Sequence, residues 1–154
     1  VRRIAVKRIS AIAVAALALG SAPATAVFAA GAAAPVGFTP GELKWVPNPA
    51  RPDVEMAVVW GDPDKGAFAA FNRFPAGFTA PLHTHTASTR IVVIKGTMSM
   101  TGADGKEVKY PVGSFYTQPS TLPHTTRCLA GSDCLIYIEG DAKWDLKPVE
   151  AAKK

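Results

Sequence analysis

Carboxylates are missing from the middle of this chain, with no aspartate or glutamate from Lys65 to Gly102. Histidine is scarcer still, at three in 154 residues, and cysteine occurs twice. No nucleotide-binding glycine loop, serine triad or pair of carboxylates spaced for acid–base work is present, which argues against nucleotide, acyl-transfer and two-carboxylate hydrolase chemistry. Beyond residue 30 there is no helical periodicity, and 12 of the chain's 13 glycines and 12 of its 13 prolines interrupt that stretch too often for ordinary helices. What remains is a β protein whose chemistry must rest on very few residues.

The apparent basicity is local. Arg2, Arg3, Lys7 and Arg8 precede an apolar run from Ala11 to Leu19, and small residues end in Ala24-Thr25-Ala26. That order reads as a secretory signal over residues 1–26, with Ala29 or Ala30 as alternative cut points. Arg2-Arg3 resembles a twin-arginine signal only weakly, because Ala5 stands where a large apolar residue is expected. Four of the 17 basic residues lie in this segment, so the rest carries 13 against 12 acidic residues, a net of +1. The mature chain therefore offers no case for nucleic-acid or lipid binding, and the expected location is periplasmic or secreted.

Residues 27–40 are rich in alanine, glycine and proline and read as a flexible leader to a single domain over residues 41–150. Within it, short apolar, β-branched runs alternate with turns. The expected strands are Lys44–Val46, Val54–Trp60, Ala67–Phe74, Arg90–Lys95, Thr97–Thr101, Glu107–Tyr110, Ser114–Thr117, Thr125–Cys128, Cys134–Glu139 and Trp144–Leu146. Ala103-Asp104-Gly105 is a hairpin turn between two of them. Many short strands with frequent turns predict an all-β sandwich or barrel.

The three histidines, His83, His85 and His124, fall in two glycine- and proline-punctuated segments. A His-x-His pair on an extended segment turns both imidazoles to one face. A strand folding back could add His124 and complete a facial set of three neutral nitrogen ligands, a common way of holding a divalent transition metal. With metal–nitrogen bonds of about 2.0–2.2 Å, the nitrogens should lie about 3–4 Å apart. Pro81, Pro119 and Pro123 stiffen the approaches.

Two cysteines in an exported chain suggest a disulfide between Cys128 and Cys134, across the spacer Leu129–Asp133. The alternative is that one of them is a ligand or nucleophile, although only Arg127 is near enough in sequence to activate it. A bridged hairpin would set His124 opposite Ile138 and Thr126 opposite Ile136, with Tyr137 and Glu139 facing solvent.

With these spacings the chain resembles the cupin superfamily over residues 77–128. Gly77, His83, His85 and Gly96 match the first cupin motif, with Thr89 where that motif has a glutamate. Gly113, Pro119 and His124 match the second, with Thr121 in place of its glycine and Cys128 in place of its asparagine. Small exported cupins and the cupin module of zinc-binding anti-sigma factors are similar. The resemblance implies a double-stranded β-helix, or jelly-roll, barrel holding one divalent transition metal, iron or zinc, through His83, His85 and His124. Thr89 leaves the ion its full charge, and Gln118 or Tyr116 is conceivable as a fourth ligand with nothing in the sequence to support either.

Trp60, Phe71, Phe74, Phe115 and Tyr116 are candidates to line a pocket, and Arg90 or Arg73 to meet a substrate carboxylate. The resemblance implies either a metal-dependent, dioxygenase-like enzyme on a small chelating substrate or a protein that binds or senses metal or a small ligand. A metal-free structural cupin is the third reading. The expected partner is a small molecule, with no nucleic acid and no membrane for the mature form, and a homodimer is left open.

Overall fold

Alternation decides which side chains become core. The computed structural model describes residues 36–150, so the expected signal over residues 1–26 lies outside the described residues, as does the leader up to residue 35. Eleven strands follow a short 3₁₀ turn at Pro40–Glu42: β1 Val46–Asn48, β2 Arg51–Gly61, β3 Phe68–Phe74, β4 Thr79–Thr84, β5 Thr89–Lys95, β6 Met98–Gly102, β7 Glu107–Tyr110, β8 Phe115–Gln118, β9 His124–Cys128, β10 Cys134–Gly140 and β11 Lys147–Pro148. In β5, Thr89, Ile91 and Val93 are buried while Arg90, Val92 and Ile94 are exposed, the period-two pattern of a sheet with one wet face.

The strands form two antiparallel sheets. One has the order β1-β2-β3-β10-β5-β8 and the other β11-β4-β9-β6-β7. They make the jelly roll that the motifs implied. Inward residues from both sheets, among them Phe68, Ile91, Val93, Met98, Ile136 and Ile138, form one core. Burying each of the larger apolar side chains stabilises the fold by about 1.5–3 kcal/mol. Gly77 and Gly113, which open the two histidine segments, have φ of 81° and 85°, a region that favours glycine in the turns there. Among the described residues no helix is long and apolar enough to cross a membrane.

Two expectations need correction. Trp144–Leu146 is not a strand; only Lys147–Pro148 pair with β4, and the residues before them turn toward the histidines. The cysteines are bonded, with Cα atoms 5.8 Å apart, but they do not close a hairpin. Strand β9 pairs with β4 and β6, whereas β10 pairs with β3 and β5. His124 therefore lies opposite His83 and Gly102, and Ile138 opposite Ala70 and Ile91. In a jelly roll the short Leu129–Asp133 link crosses from one sheet to the other, so the bridge ties the two sheets together. Tyr137 and Glu139 still sit on the outer face of β10, as alternation alone requires.

Candidate metal centre and ligand cavity

The His83 side chain projects inward from β4, and His85 follows just beyond the end of that strand. His124 opens β9, directly across from His83 in the antiparallel register. All three are almost completely buried, at 2 %, 6 % and 1 % exposure. The Nε2 atoms of His83 and His85 are 3.1 Å apart, and ligand atoms of all three residues lie within 4.8 Å of one another. The nearest pair has the spacing expected for two nitrogens on one ion, and the full set is slightly more open than about 3–4 Å.

Hydrogen bonds settle which nitrogen is free. Nδ1 of His83 donates to the Pro81 carbonyl and Nδ1 of His124 to the Leu122 carbonyl, both at 2.7 Å. Nδ1 of His85 donates to the Asp145 carbonyl. Each neutral ring so anchored presents an unprotonated Nε2, the arrangement in which histidine ligands are normally held by an outer partner. Burial pushes all three below the ordinary histidine value, His85 to about 4, so they are neutral near pH 7. Neighbouring histidines lower His85 further, against the opposing effect of the Asp145 carbonyl. The His83 and His85 nitrogens thus turn lone pair toward lone pair in a buried space, a repulsive contact that a cation between them would make favourable. The residues fit a divalent metal.

Gln118 joins this cluster from β8. Its carboxamide contacts Nε2 of His124, and its Oε1 accepts from Thr89 Oγ1 at 3.4 Å. Thr89 and Gln118 are direct partners across β5 and β8 and are both buried. Gln118 thus lies beside the position where the cupin motif has its glutamate.

The last described segment supplies what sequence reasoning missed. Trp144 stacks on His85 with ring centroids 4.1 Å apart and meets Phe68 edge-on at 5.9 Å. The Asp145 carboxylate accepts from the backbone N–H and hydroxyl of Thr86, both at 2.7 Å, and pairs with Lys147 at 3.2 Å. These contacts clamp the turn that carries His85. Their sequence separation is about sixty residues, and no local pattern announces them.

A cavity of about 140 Å³ adjoins His83 and His85, lined largely by apolar side chains such as Met56, Phe78, Ile91 and Met98. Tyr116, only 7 % exposed, and Phe74 do line it. Trp60, Phe71, Arg90 and Phe115 do not. Trp60 and Phe115 are 60 % and 61 % exposed, and Arg90 lies with Trp60, Tyr137 and Glu139 along a groove on the outside of the larger sheet. Phe71 packs against Tyr137 on the same outer face, with centroids 5.5 Å apart. Parity explains these three, since Arg90, Phe71 and Phe115 each stand one position from inward Thr89, Ala70 and Tyr116 and so face the other way. For Trp60, a register shift between Val58 and Trp60 separates it from the inward residues of β2. Arg73 is also outside, its guanidinium bonded to Glu55 and lying 4.3 Å from the Trp45 ring centre.

Comparisons with known proteins agree with the fold. A family described as Domain of unknown function (DUF4437) matches residues 40–154. No curated protein sequence matches. The polyketide cyclase RemF from Streptomyces resistomycificus is similar in structure, with a TM-score of 0.63 and 17 % identity over 78 % of this chain and 89 % of that one. An RmlC-like cupin from Ralstonia eutropha gives 0.61 and 19 % identity over 75 % and 76 %. The DMSP lyase DddQ from Ruegeria pomeroyi gives 0.55 and 16 % identity over 66 % of this chain and 57 % of that one.

Proposed function

The chain belongs to the DUF4437 family and has the cupin fold, and from that premise we propose a metal-dependent cupin that holds one divalent transition ion, iron or zinc, and acts on a small chelating substrate. The observation that carries this reading is the convergence of His83, His85 and His124, each anchored through Nδ1 to a backbone carbonyl, beside an apolar cavity. When bound, the ion would supply Lewis acidity toward a substrate oxygen or, as iron, a centre for oxygen chemistry.

The protein's own residues do the rest. The carbonyls of Pro81, Leu122 and Asp145 hold the imidazoles in the tautomer that binds metal, and Trp144 covers His85. Gln118 would complete the ligand set through its amide oxygen after a half-turn of the carboxamide, leaving the amide nitrogen to Thr89. With Thr89 in place of a carboxylate, every protein ligand is neutral and the ion keeps its charge for an anionic or enolate-like substrate. The apolar walls exclude water and strengthen that attraction. Export to an oxidising compartment is part of the same reading and is supported by the Cys128–Cys134 bridge.

An enzyme is the lead reading because proteins of similar fold include a polyketide cyclase and a DMSP lyase. Binding without turnover is the second reading. It is favoured by the lack of a free carboxylate base among the described cavity residues, since Glu55 is held by Arg73, which keeps its carboxyl below the ordinary range. Oxygen uptake and substrate loss, measured on iron-loaded and zinc-loaded protein with small diketones and thiols, test the choice. Turnover that disappears in His83→Ala is expected of the enzyme. Stoichiometric metal with no turnover in any combination contradicts it and leaves the binder.

A further inference from the structure

Inward positions of β3 read Phe68, Ala70, Asn72 and Phe74, three apolar residues and one carboxamide. Asn72 is 95 % buried, from an exposure of 5 %, and its cross-strand neighbours are Met56 and Ile136. It lines the cavity, and its Oδ1 has no hydrogen-bond partner among the described residues. Buried polar atoms nearly always have partners, and one left alone lowers the stability of the fold. An apolar side chain of the same size would pack against Met56 and Ile136 without that penalty.

We infer that Asn72 is a ligand-recognising group, and that the cavity takes a ring-sized organic molecule with a hydroxyl or amide substituent remote from its metal-binding end. The volume of about 140 Å³ resembles that of an apolar protein cavity that admits benzene, about 150 Å³, so a single ring fits. The walls around Asn72 are apolar or aromatic, with Met56, Phe74, Phe78 and Ile136 among them. Strands β10 and β5 separate β3 from β8, so Asn72 and Gln118 meet different parts of a ligand. A half-turn of the carboxamide lets Asn72 present either its donor or its acceptor to the cavity, which suits a hydroxyl or an amide and discriminates against a bare hydrocarbon.

This inference rests on the reading of the barrel as a small-molecule site, and its test separates the two. Dissociation constants for phenol and for benzene are measured by NMR titration on wild-type protein and on Asn72→Leu, each chelator-treated and zinc-loaded. The expected result is a shift of about tenfold in the phenol-to-benzene ratio of the chelator-treated protein, phenol losing and benzene holding or gaining, as one lost hydrogen bond requires. The ligand-free Asn72→Leu protein should also melt higher than wild type, because an unpartnered polar atom is gone. If Asn72→Leu does not fold, Asn72→Ala carries the same comparison of ratios. An unchanged ratio overturns the inference, as does a lower melting point with both ligands weakened equally, or wild-type protein that binds neither compound. Zinc binding with an unchanged ratio removes this inference alone; a shifted ratio in protein that takes up no zinc removes the metal reading alone.

Discussion

Thr89 and Gln118 face each other across β5 and β8, the threonine hydroxyl donating to the glutamine Oε1 at 3.4 Å beside Nε2 of His124. A short neutral residue thus stands where a longer acidic one is expected, and a neighbouring amide reaches the same histidine. Two substitutions follow from that pairing. Gln118→Leu should weaken metal binding by about ten- to hundredfold, the usual effect of losing a group that supports a metal site. Thr89→Glu should fold and should favour manganese or iron over zinc, since a carboxylate prefers harder ions. Competition with a metal-sensitive dye measures both, and equal affinity in wild type and Gln118→Leu would remove the glutamine from the site.

Acid should destabilise the metal-stripped protein through its histidines. Burial holds the folded-state values of His83, His85 and His124 below the ordinary 6.5, and that of His85 at about 4. In that window the unfolded chain binds more protons than the folded one, so lowering the pH favours unfolding. The stability from keeping these rings neutral is complete above about 6.5 and is lost as the pH falls toward about 4. Thermal melts of chelator-treated protein across this range should decline steadily, and less steeply in His85→Phe. A flat profile would show that the rings titrate normally.

How much of this was legible in the sequence differs by feature. The His83/His85 pair was readable because period two is a local rule that holds whatever the strand pairs with. The outward placement of Trp60, Phe71, Arg90 and Phe115 was not, because which parity faces the barrel depends on register, and the shift between Val58 and Trp60 leaves no mark in composition. The Cys128–Cys134 bond followed from the count of two and from the compartment that the sequence leads one to expect. Its place between two sheets did not, since a short spacer suits a hairpin and a sheet-to-sheet crossing equally well. Trp144 and Asp145 act through contacts about sixty residues distant, beyond any pattern rule.

Removal of the bridge should loosen the strand that delivers His124 relative to the opposite sheet. The Cys128→Ala, Cys134→Ala double variant should lose about 2 kcal/mol, the stabilisation expected of a short closed loop. Chemical denaturation measures this directly. Equal stability with and without the bridge would show that the shared apolar core between the sheets holds them together unaided.

Thr121 occupies the glycine position of the second motif and has φ of 62°, a left-handed backbone unusual for a β-branched residue. That conformation costs a residue with a side chain about 1–2 kcal/mol, of which glycine's greater freedom in the unfolded chain takes back about 0.4–1 kcal/mol. Thr121→Gly should therefore gain somewhat under about 1 kcal/mol and raise Tm by about 3 °C, with metal content unchanged. A fall in Tm would mean that the threonine side chain makes up for its backbone.

Metal content of the purified protein, read by elemental analysis beside that of His124→Ala, bears most directly on the three-histidine site. One divalent transition ion per wild-type chain is expected, with a near-complete loss in the variant and a lower Tm, because binding to the folded state stabilises it. Equal metal in the two proteins, or none in wild type after loading with iron or zinc, would contradict that site.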